Sequence, residues 1–406
     1  MAIIRNPLQC LSCGAKVITR TAPGIFPPQE HTFPCPGCGV EIRFTLDRDK
    51  KKVGYSFGRP VNAKWVRSEK GAIETLSFDP DRVAPKDMTN VFSPFLAEAF
   101  ELSLQAHQAY AREEGIRRGW RNSQWPWIQK LIVHFDNRNL KLFDKEAKLG
   151  RGSQHTASWA RRLALLYNLF EGAFDSFTLS RLPEMRRVRQ RIALGEAVSP
   201  DLYDRLVKLY VASSRMVKTW QELNKIRTAF LANYLTISPV LRTQYWTKRP
   251  TDLSEYVVPE KNFDQLRQLY VDCFETLCRL TVIAIGHETI IHHKSLDIPK
   301  SKGQMTLWEY EAMPNGNKHT ILEKYPIQDL FVPVIDHKLR NGIGHHSAVY
   351  AAQTDEVIYY EQEGEALQET RMSYTEFVFK VLQIYSAVEL AALYFHPLHV
   401  KACEAE

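Results

Sequence analysis

Apolar and polar positions along this 406-residue chain change their period as the sequence proceeds. Over residues 1–57, short β-like runs at 16–21, 40–47 and 52–57 alternate with Gly/Pro turns, which predicts a small β-rich head. Residues 58–90 carry Pro60, Pro80 and Pro85 with weak periodicity and read as a connector with room for one strand. From Phe92 the spacing turns helical. Phe95, Leu96, Ala99, Phe100, Leu102 and Leu104 share one face, as do Trp159, Leu163, Leu165, Leu166, Leu169 and Phe170. Between these runs, 148–153 predicts a loop, with Ser153 or Thr156 as the cap of the next helix. Further helices are expected over 201–233, 262–291, 327–339 and 373–394. Residues 294–318, with Pro299, Gly303, Pro314 and Gly316, read as loop, and 356–361 with 366–371 as a hairpin. No internal repeat is evident. The fold class is mainly α with a β-rich head, divided as 1–57, a connector 58–90, a basic helical domain 91–254 and a C-terminal helical domain 255–406.

Composition adds two constraints. Apolar residues make up 44% and charged residues 24%, the balance of a folded protein with more than one core. No run approaches eighteen consecutive apolar residues, and the start, Met1 to Pro7, lacks the features of a signal peptide. A cytoplasmic protein with reduced cysteines and no membrane span is therefore expected. Charge is unevenly placed. Residues 261–406 hold 13 Lys/Arg against 20 Asp/Glu, net −7, while residues 1–260 hold 40 against 26, net +14. A basic front of this size suits an anionic partner such as nucleic acid, or a solvated basic surface.

Four of the seven cysteines lie in the head, as Cys10-Leu11-Ser12-Cys13-Gly14 and Cys35-Pro36-Gly37-Cys38-Gly39. Two residues between thiolates let both sulfurs face one ion, and the following glycine lets the backbone curl round it. Four thiolates close a tetrahedral shell and leave no position for water, so the expected ion is a structural zinc. A redox role would need a thioredoxin-like βαβ context, which is absent. The motif resembles a zinc ribbon. Lys16, Arg20, Arg43, Arg48 and 50–52 give this head a basic side, which tilts its expected partner toward nucleic acid.

Near the other end stands Arg340-Asn341-Gly342-Ile343-Gly344-His345-His346. An arginine and a histidine separated by a few residues arise by chance about once in such a chain. Here Asn341 follows the arginine, and Gly342 and Gly344 are expected to interrupt a helix and bring Arg340 and His345 to one spot. A long helix precedes, and a hairpin and terminal helix follow. This constellation resembles the HEPN (higher eukaryote and prokaryote nucleotide-binding) superfamily over about residues 255–400. The resemblance implies a helical domain working as a homodimer and a metal-independent ribonuclease. His345 would be its general acid/base, Arg340 its phosphoryl clamp and Asn341 an orienting group, with His346 a competitor for the histidine role. The residue types suit the chemistry: an imidazole moves a proton near neutral pH, and a guanidinium grips a phosphate in bidentate fashion. The same residues also suit a helix end in which Arg340 caps carbonyls and the histidine is on the surface.

Other segments offer candidate contacts to the same partner. His287-Glu288-Thr289-Ile290-Ile291-His292 has one residue too many for a metalloprotease helix, which places its histidines about 140° apart. His287, His292 and His293 would instead line the HEPN cleft. Arg117, Arg118, Trp120 and Arg121 mix cations with aromatics as RNA-stacking surfaces do, or as a core edge does. Arg186 and Arg187 begin a basic run that fits a phosphate strip or a solvated helix face.

The expected function is an RNA-cleaving enzyme that leaves 2′,3′-cyclic phosphate and 5′-hydroxyl ends. By resemblance it is a toxin or anti-phage abortive-infection effector with a phage-derived trigger or neutralising partner. The alternative is a non-catalytic RNA- or partner-binding protein that uses the HEPN domain as a dimerisation scaffold. A third reading is nucleotide modification at this domain, with Tyr350 as the acceptor.

Overall fold

The computed structural model describes residues 4–21, 29–48, 55–78, 84–85, 104–147, 158–179, 182–246, 252–258, 261–300, 303–344, 348–363 and 366–404. The fold is mainly α with a β-rich head. Its backbone groups into two compact units. Residues 1–110, 232–271 and 338–382 form one, and residues 111–231, 272–337 and 383–406 the other. Each unit thus draws on three separate stretches, a division different from linear segments along the chain.

The first unit begins with two hairpins. Strands β1 (Ile4–Cys10) and β2 (Lys16–Thr21) pair antiparallel, as do β3 (Gln29–Pro34) and β4 (Glu41–Arg48). β5 (Tyr55–Phe57) extends the second pair, giving the order β3-β4-β5. The period-2 alternation in β4 puts Ile42, Phe44 and Leu46 inside. Ile42 and Phe44 pack with Leu8, Val17, Phe33 and Ala63, while Phe57 and Trp65 close the edge. The connector expected over 58–90 is in part an element of this head. Strands β6 (Ala63–Trp65) and β7 (Ala72–Phe78) flank the first hairpin in the order β6-β1-β2-β7. The room left for one strand in this stretch thus holds these two, each paired with chain far away in sequence.

Later in the same unit, Val349–Ala351, Glu356–Glu363 and Ala366–Ser373 form an antiparallel sheet, so the expected hairpin is present with one strand added. Lys261 and Asp355 form an ion pair at 2.5 Å, and Tyr350 donates to the same carboxylate at 2.7 Å. Tyr350, on the first of these strands, is thereby tied to the turn that carries Asp355.

The second unit is helical. The helices Trp159–Phe174 and Phe263–His293 appear as expected, the second of them beginning in the first unit. Ser158 supplies the side-chain cap of the first of these by accepting from the Arg161 N–H, whereas Ser153 and Thr156 lie outside the described residues, as do Phe95 to Leu102. The helix expected over 201–233 is two, Pro200–Ala212 and Arg215–Ala232, parted where Ser214 adopts φ +57°. The loop expected over 294–318 contains the helix Leu307–Ala312, begun by a capping box of Thr306 with Glu309. The core here is aromatic: Phe230 stacks on Tyr385 at 3.7 Å, and Trp125 meets Phe174 edge to face and Phe170 at a tilt. The C-terminal helix, Tyr374–Glu404, has the length and mean hydropathy (1.4) of a membrane span, yet 78% of that window is buried inside the fold, as in a core helix.

Candidate functional site

Two constellations carry candidate chemistry, and both lie in the first unit. At the head, Cys10 ends β1 and Cys35 follows β3, so each Cys-x-x-Cys turn closes one hairpin. The N–H of Gly14 donates to the Cys10 carbonyl at 3.1 Å, and that of Gly39 to the Cys35 carbonyl at 2.7 Å. Both glycines sit at φ near +75°, +76° and +74°, a conformation that side chains with a Cβ adopt at a cost. The turns bring Cys10 Sγ to 3.8 Å from Cys38 Sγ and Cys13 Sγ to 3.6 Å from Cys35 Sγ. All four sulfurs lie within 4.8 Å of one another, with Cys10 and Cys35 buried and Cys13 and Cys38 exposed.

Four thiols at such distances do not ionise independently. Burial pushes Cys35 up to about 12. At Cys10 the upward push of burial is outweighed by the backbone amides of Cys13 and Ser12, which bring it down to about 7. A divalent cation would allow all four to be thiolates, and a soft sulfur shell of this size fits a tetrahedral metal. The cluster is therefore a metal-binding arrangement with every ligand supplied by the protein.

The second constellation is the helix His337–Gly344. The single helix expected over 327–339 is broken. Gln328–Phe331 is followed by a 3-10 turn at Val332–Val334 with Pro333 inside it, and a new helix then starts at His337. The glycines do not interrupt this helix, contrary to expectation: it runs through Gly342 to Gly344. Gly342 is there for a different reason. A Cβ on it would lie 2.4 Å from Tyr359 Cδ2, so the neighbouring strand comes too close for any side chain. That contact buries the Leu339, Gly342 and Ile343 face and turns the opposite side outward. Asn341 is exposed and Arg340 half-buried, with Arg340 Nη1 donating to Asn341 Oδ1 at 3.2 Å. His345 and His346 lie outside the described residues.

The remaining candidates are engaged within the second unit. Arg117 is fully buried: it donates to the Ser176 carbonyl at 2.6 Å and pairs with Glu113 at 2.7 Å. Arg118 pairs with Glu114 at 2.8 Å, and Trp120 is buried in the π-helical turn Trp120–Gln124 that also holds Arg121. Arg117 and Trp120 thus build the core edge and offer no RNA-stacking platform. Arg187 pairs with Asp329 at 2.6 Å and also donates to the Pro326 carbonyl. Arg189 and Arg191 of the same run pair with Glu171 and Glu288, while Arg186 is exposed. His287 is sealed in the core, where burial pushes it down to about 3. His292 lies 2.8 Å from an Arg191 nitrogen.

Sequence reading missed one polar network in this unit. Arg227, fully buried, holds Glu389 through both oxygens at 3.0 and 2.9 Å. Its guanidinium lies over Phe170 and Phe174. His396 Nδ1 is 3.2 Å from Glu171 and Nε2 is 3.5 Å from Arg227. These residues are too far apart in sequence to form a motif, although charged residues on otherwise apolar helix faces are a usable signal of such a network.

In comparisons with known proteins, no family model, no curated protein and no solved structure matches this chain.

Proposed function

We propose that this protein is a metal-independent endoribonuclease of HEPN type, with Arg340, Asn341 and His345 as its working residues. The observation that carries the reading is the pairing of Arg340 with Asn341 on the outward side of a helix whose other side is pressed against a strand. His345 follows that helix directly in sequence. In the reaction, a neutral imidazole accepts the proton of the RNA 2′-hydroxyl. The O2′–P bond forms as the P–O5′ bond breaks, and an imidazolium returns a proton to O5′, giving a 2′,3′-cyclic phosphate and a 5′-hydroxyl. Arg340 offers two parallel N–H donors to the phosphoryl oxygens, where negative charge builds in the transition state. In a homodimer one histidine acts as base and its counterpart as acid. By the same resemblance the biological setting is a toxin or abortive-infection effector.

Zinc is the ion we assign to Cys10, Cys13, Cys35 and Cys38. With four protein ligands it keeps no open position, so its part is to hold the head folded.

The test is RNA cleavage by purified protein in EDTA, with the zinc content of the same sample measured. Arg340→Ala and His345→Ala should each lower the rate by about 10²–10³-fold or more. Full cleavage in both variants sinks the assignment. RNA that binds but stays intact in the unaltered protein sinks it as well and leaves a binding protein.

A further inference from the structure

Strands β6 and β7 lie at opposite edges of the sheet β6-β1-β2-β7, so the chain between them, residues 66–71, crosses one of its faces. Two side chains show which. Arg5 holds Glu69 through both carboxylate oxygens at 2.7 Å, and Lys16 Nζ donates to the Lys70 carbonyl at 3.1 Å. Residues directly opposite on neighbouring strands point to the same side of a sheet. Arg5 stands opposite Arg20, and Gln9 opposite both Lys16 and Lys64. The crossed face therefore carries Arg5, Arg20, Lys16 and Lys64, while Leu8, Cys10, Val17 and Ala63 form the apolar face behind it. Pro7 and Ile18, between the two polar rows, are buried.

With Arg67 and Lys70 of the crossing loop, this face holds six cations against one carboxylate, Glu69, and the positions that β7 adds to it, Ala72, Thr75 and Ser77, are uncharged. Lys64, Arg67 and Lys70 are exposed and Lys16 is half-buried, and none of the four has an ion pair among the described residues. Burial and the neighbouring Arg5 cation push Arg20 below its ordinary value, against the opposing pull of Glu69, a repulsion that an added anion would relieve. From the Gln9 row to the Arg5 row is about 13 Å along the strands, and from Lys64 to Lys16 about 10 Å across them. Cations spread this widely exceed the reach of one small anion and suit a chain of repeated charges. Among the large apolar side chains exposed on the head, Leu11, Tyr55, Val61 and Ile73, none holds a register position on this face. A bilayer takes an inserted apolar side chain and a protein partner takes an apolar or aromatic anchor. A phosphate backbone is held by cations and N–H donors alone.

We propose that this face, with its crossing loop, binds the sugar–phosphate backbone of a nucleic-acid strand without reading its bases. Lys16, Lys64, Arg67 and Lys70 supply the phosphate contacts. Arg43, expected on the basic side of the head, is instead on the other sheet and paired with Glu41 at 3.0 Å. The inference goes beyond the ribonuclease assignment and does not depend on it, since a strand is held here whether or not Arg340 acts on it. RNA and DNA share this backbone chemistry.

Fluorescence anisotropy with the full-length, zinc-loaded protein tests this. The probe is a short fluorescein-labelled 2′-O-methyl oligoribonucleotide, which lacks the 2′-hydroxyl that cleavage needs, so binding is read apart from any ribonuclease activity. Binding should be saturable, and its logarithm should fall linearly with the logarithm of the salt concentration. The triple variant Lys64→Ala/Arg67→Ala/Lys70→Ala should keep its zinc, bind about tenfold or more weakly, and show a salt slope shallower by about 2, at about 0.7 for each phosphate contact on a single strand. Lys64→Ala and Arg67→Ala alone, each at an exposed position, should each make the slope shallower by about 0.7. Lys130→Ala/Lys141→Ala/Lys145→Ala removes the same charge from exposed positions of the helical unit and should leave affinity and slope unchanged. A DNA strand of the same sequence, in a parallel arm, separates contact through phosphate alone, which takes both strands, from contact that needs the 2′-oxygen, which takes RNA; either result upholds the face. Absence of saturable binding, equal losses in the two triple variants, or unchanged slopes in both single variants would overturn the proposal. So would binding to phosphatidylserine vesicles or poly-glutamate, lost in the head variant, in place of binding to the oligonucleotides.

Discussion

Tyr359 packs so closely on Gly342 that an added Cβ would fall 2.4 Å from the ring and 3.1 Å from the tyrosine Cβ. The helix carrying Arg340 and Asn341 is thus set by contact with a strand that follows it in the chain.

Replacing Gly342 by alanine must push helix and strand apart. Overpacking of this kind costs about 1–3 kcal/mol. Chemical denaturation of Gly342→Ala should show that loss, and the proposed ribonuclease rate should fall because Arg340 moves with the helix. Gly342→Ala combined with Tyr359→Ala should be less destabilised than the two single losses added together, since the residues share one contact. Strict additivity would argue against the contact as the cause.

Metal removal should act on the head. Each of Cys10→Ser, Cys13→Ser, Cys35→Ser and Cys38→Ser should abolish stoichiometric zinc, read by atomic absorption. Limited proteolysis should then cut within residues 4–78 while the helical unit resists. The hairpins meet through the four sulfurs and one small apolar cluster, too little core to replace the ion. Retention of zinc in all four variants would rule out this ligand set.

Breaking the Arg227–Glu389 pair should be costly. Both side chains are nearly out of solvent, at 0% and 10% exposure, so Glu389→Ala leaves a buried guanidinium without its counter-charge. A loss of about 3–5 kcal/mol is expected in equilibrium unfolding. The double variant Arg227→Met/Glu389→Leu should recover most of it, because no charge is then left unpaired.

Acid should weaken the fold before most carboxylates titrate. His31, His287 and His399 are each pushed down by burial to about 3, against about 6.5 when unfolded. Below pH 6.5 the unfolded chain binds protons that the folded one does not, so stability is full above that pH and falls toward pH 3. Each group contributes about 1.4 kcal/mol per pH unit where the difference is fully developed. His287→Phe removes two ring nitrogens that have no hydrogen-bond partner. It should leave stability at pH 7.5 equal or higher and make the fall between pH 6.5 and 5 shallower. An unchanged slope would exclude His287 as a contributor.

The sequence by itself determined what local spacing can encode. Paired cysteines two residues apart, each followed by glycine, predict the turns that gather four sulfurs. Period-2 alternation predicts β2 and β4, and period-3.6 runs predict the long helices at 159–174 and 263–293. The adjacency of Arg340 and Asn341 is likewise visible without coordinates, because neighbouring residues on one helix need no long-range information. Tertiary structure alone decided the rest. Arg117 reads as a surface cation until Ser176, 59 residues on, accepts from it inside the core. Gly342 reads as a helix breaker until Tyr359 arrives against it. Strands β6 and β7 read as connector until β1 and β2 supply their partners. Arg227 and Glu389 are 162 residues apart, and no spacing rule joins them. In each case the deciding energy is burial or hydrogen bonding between groups that only the folded chain brings together, and residue type at one position is silent on which distant partner will offset its desolvation.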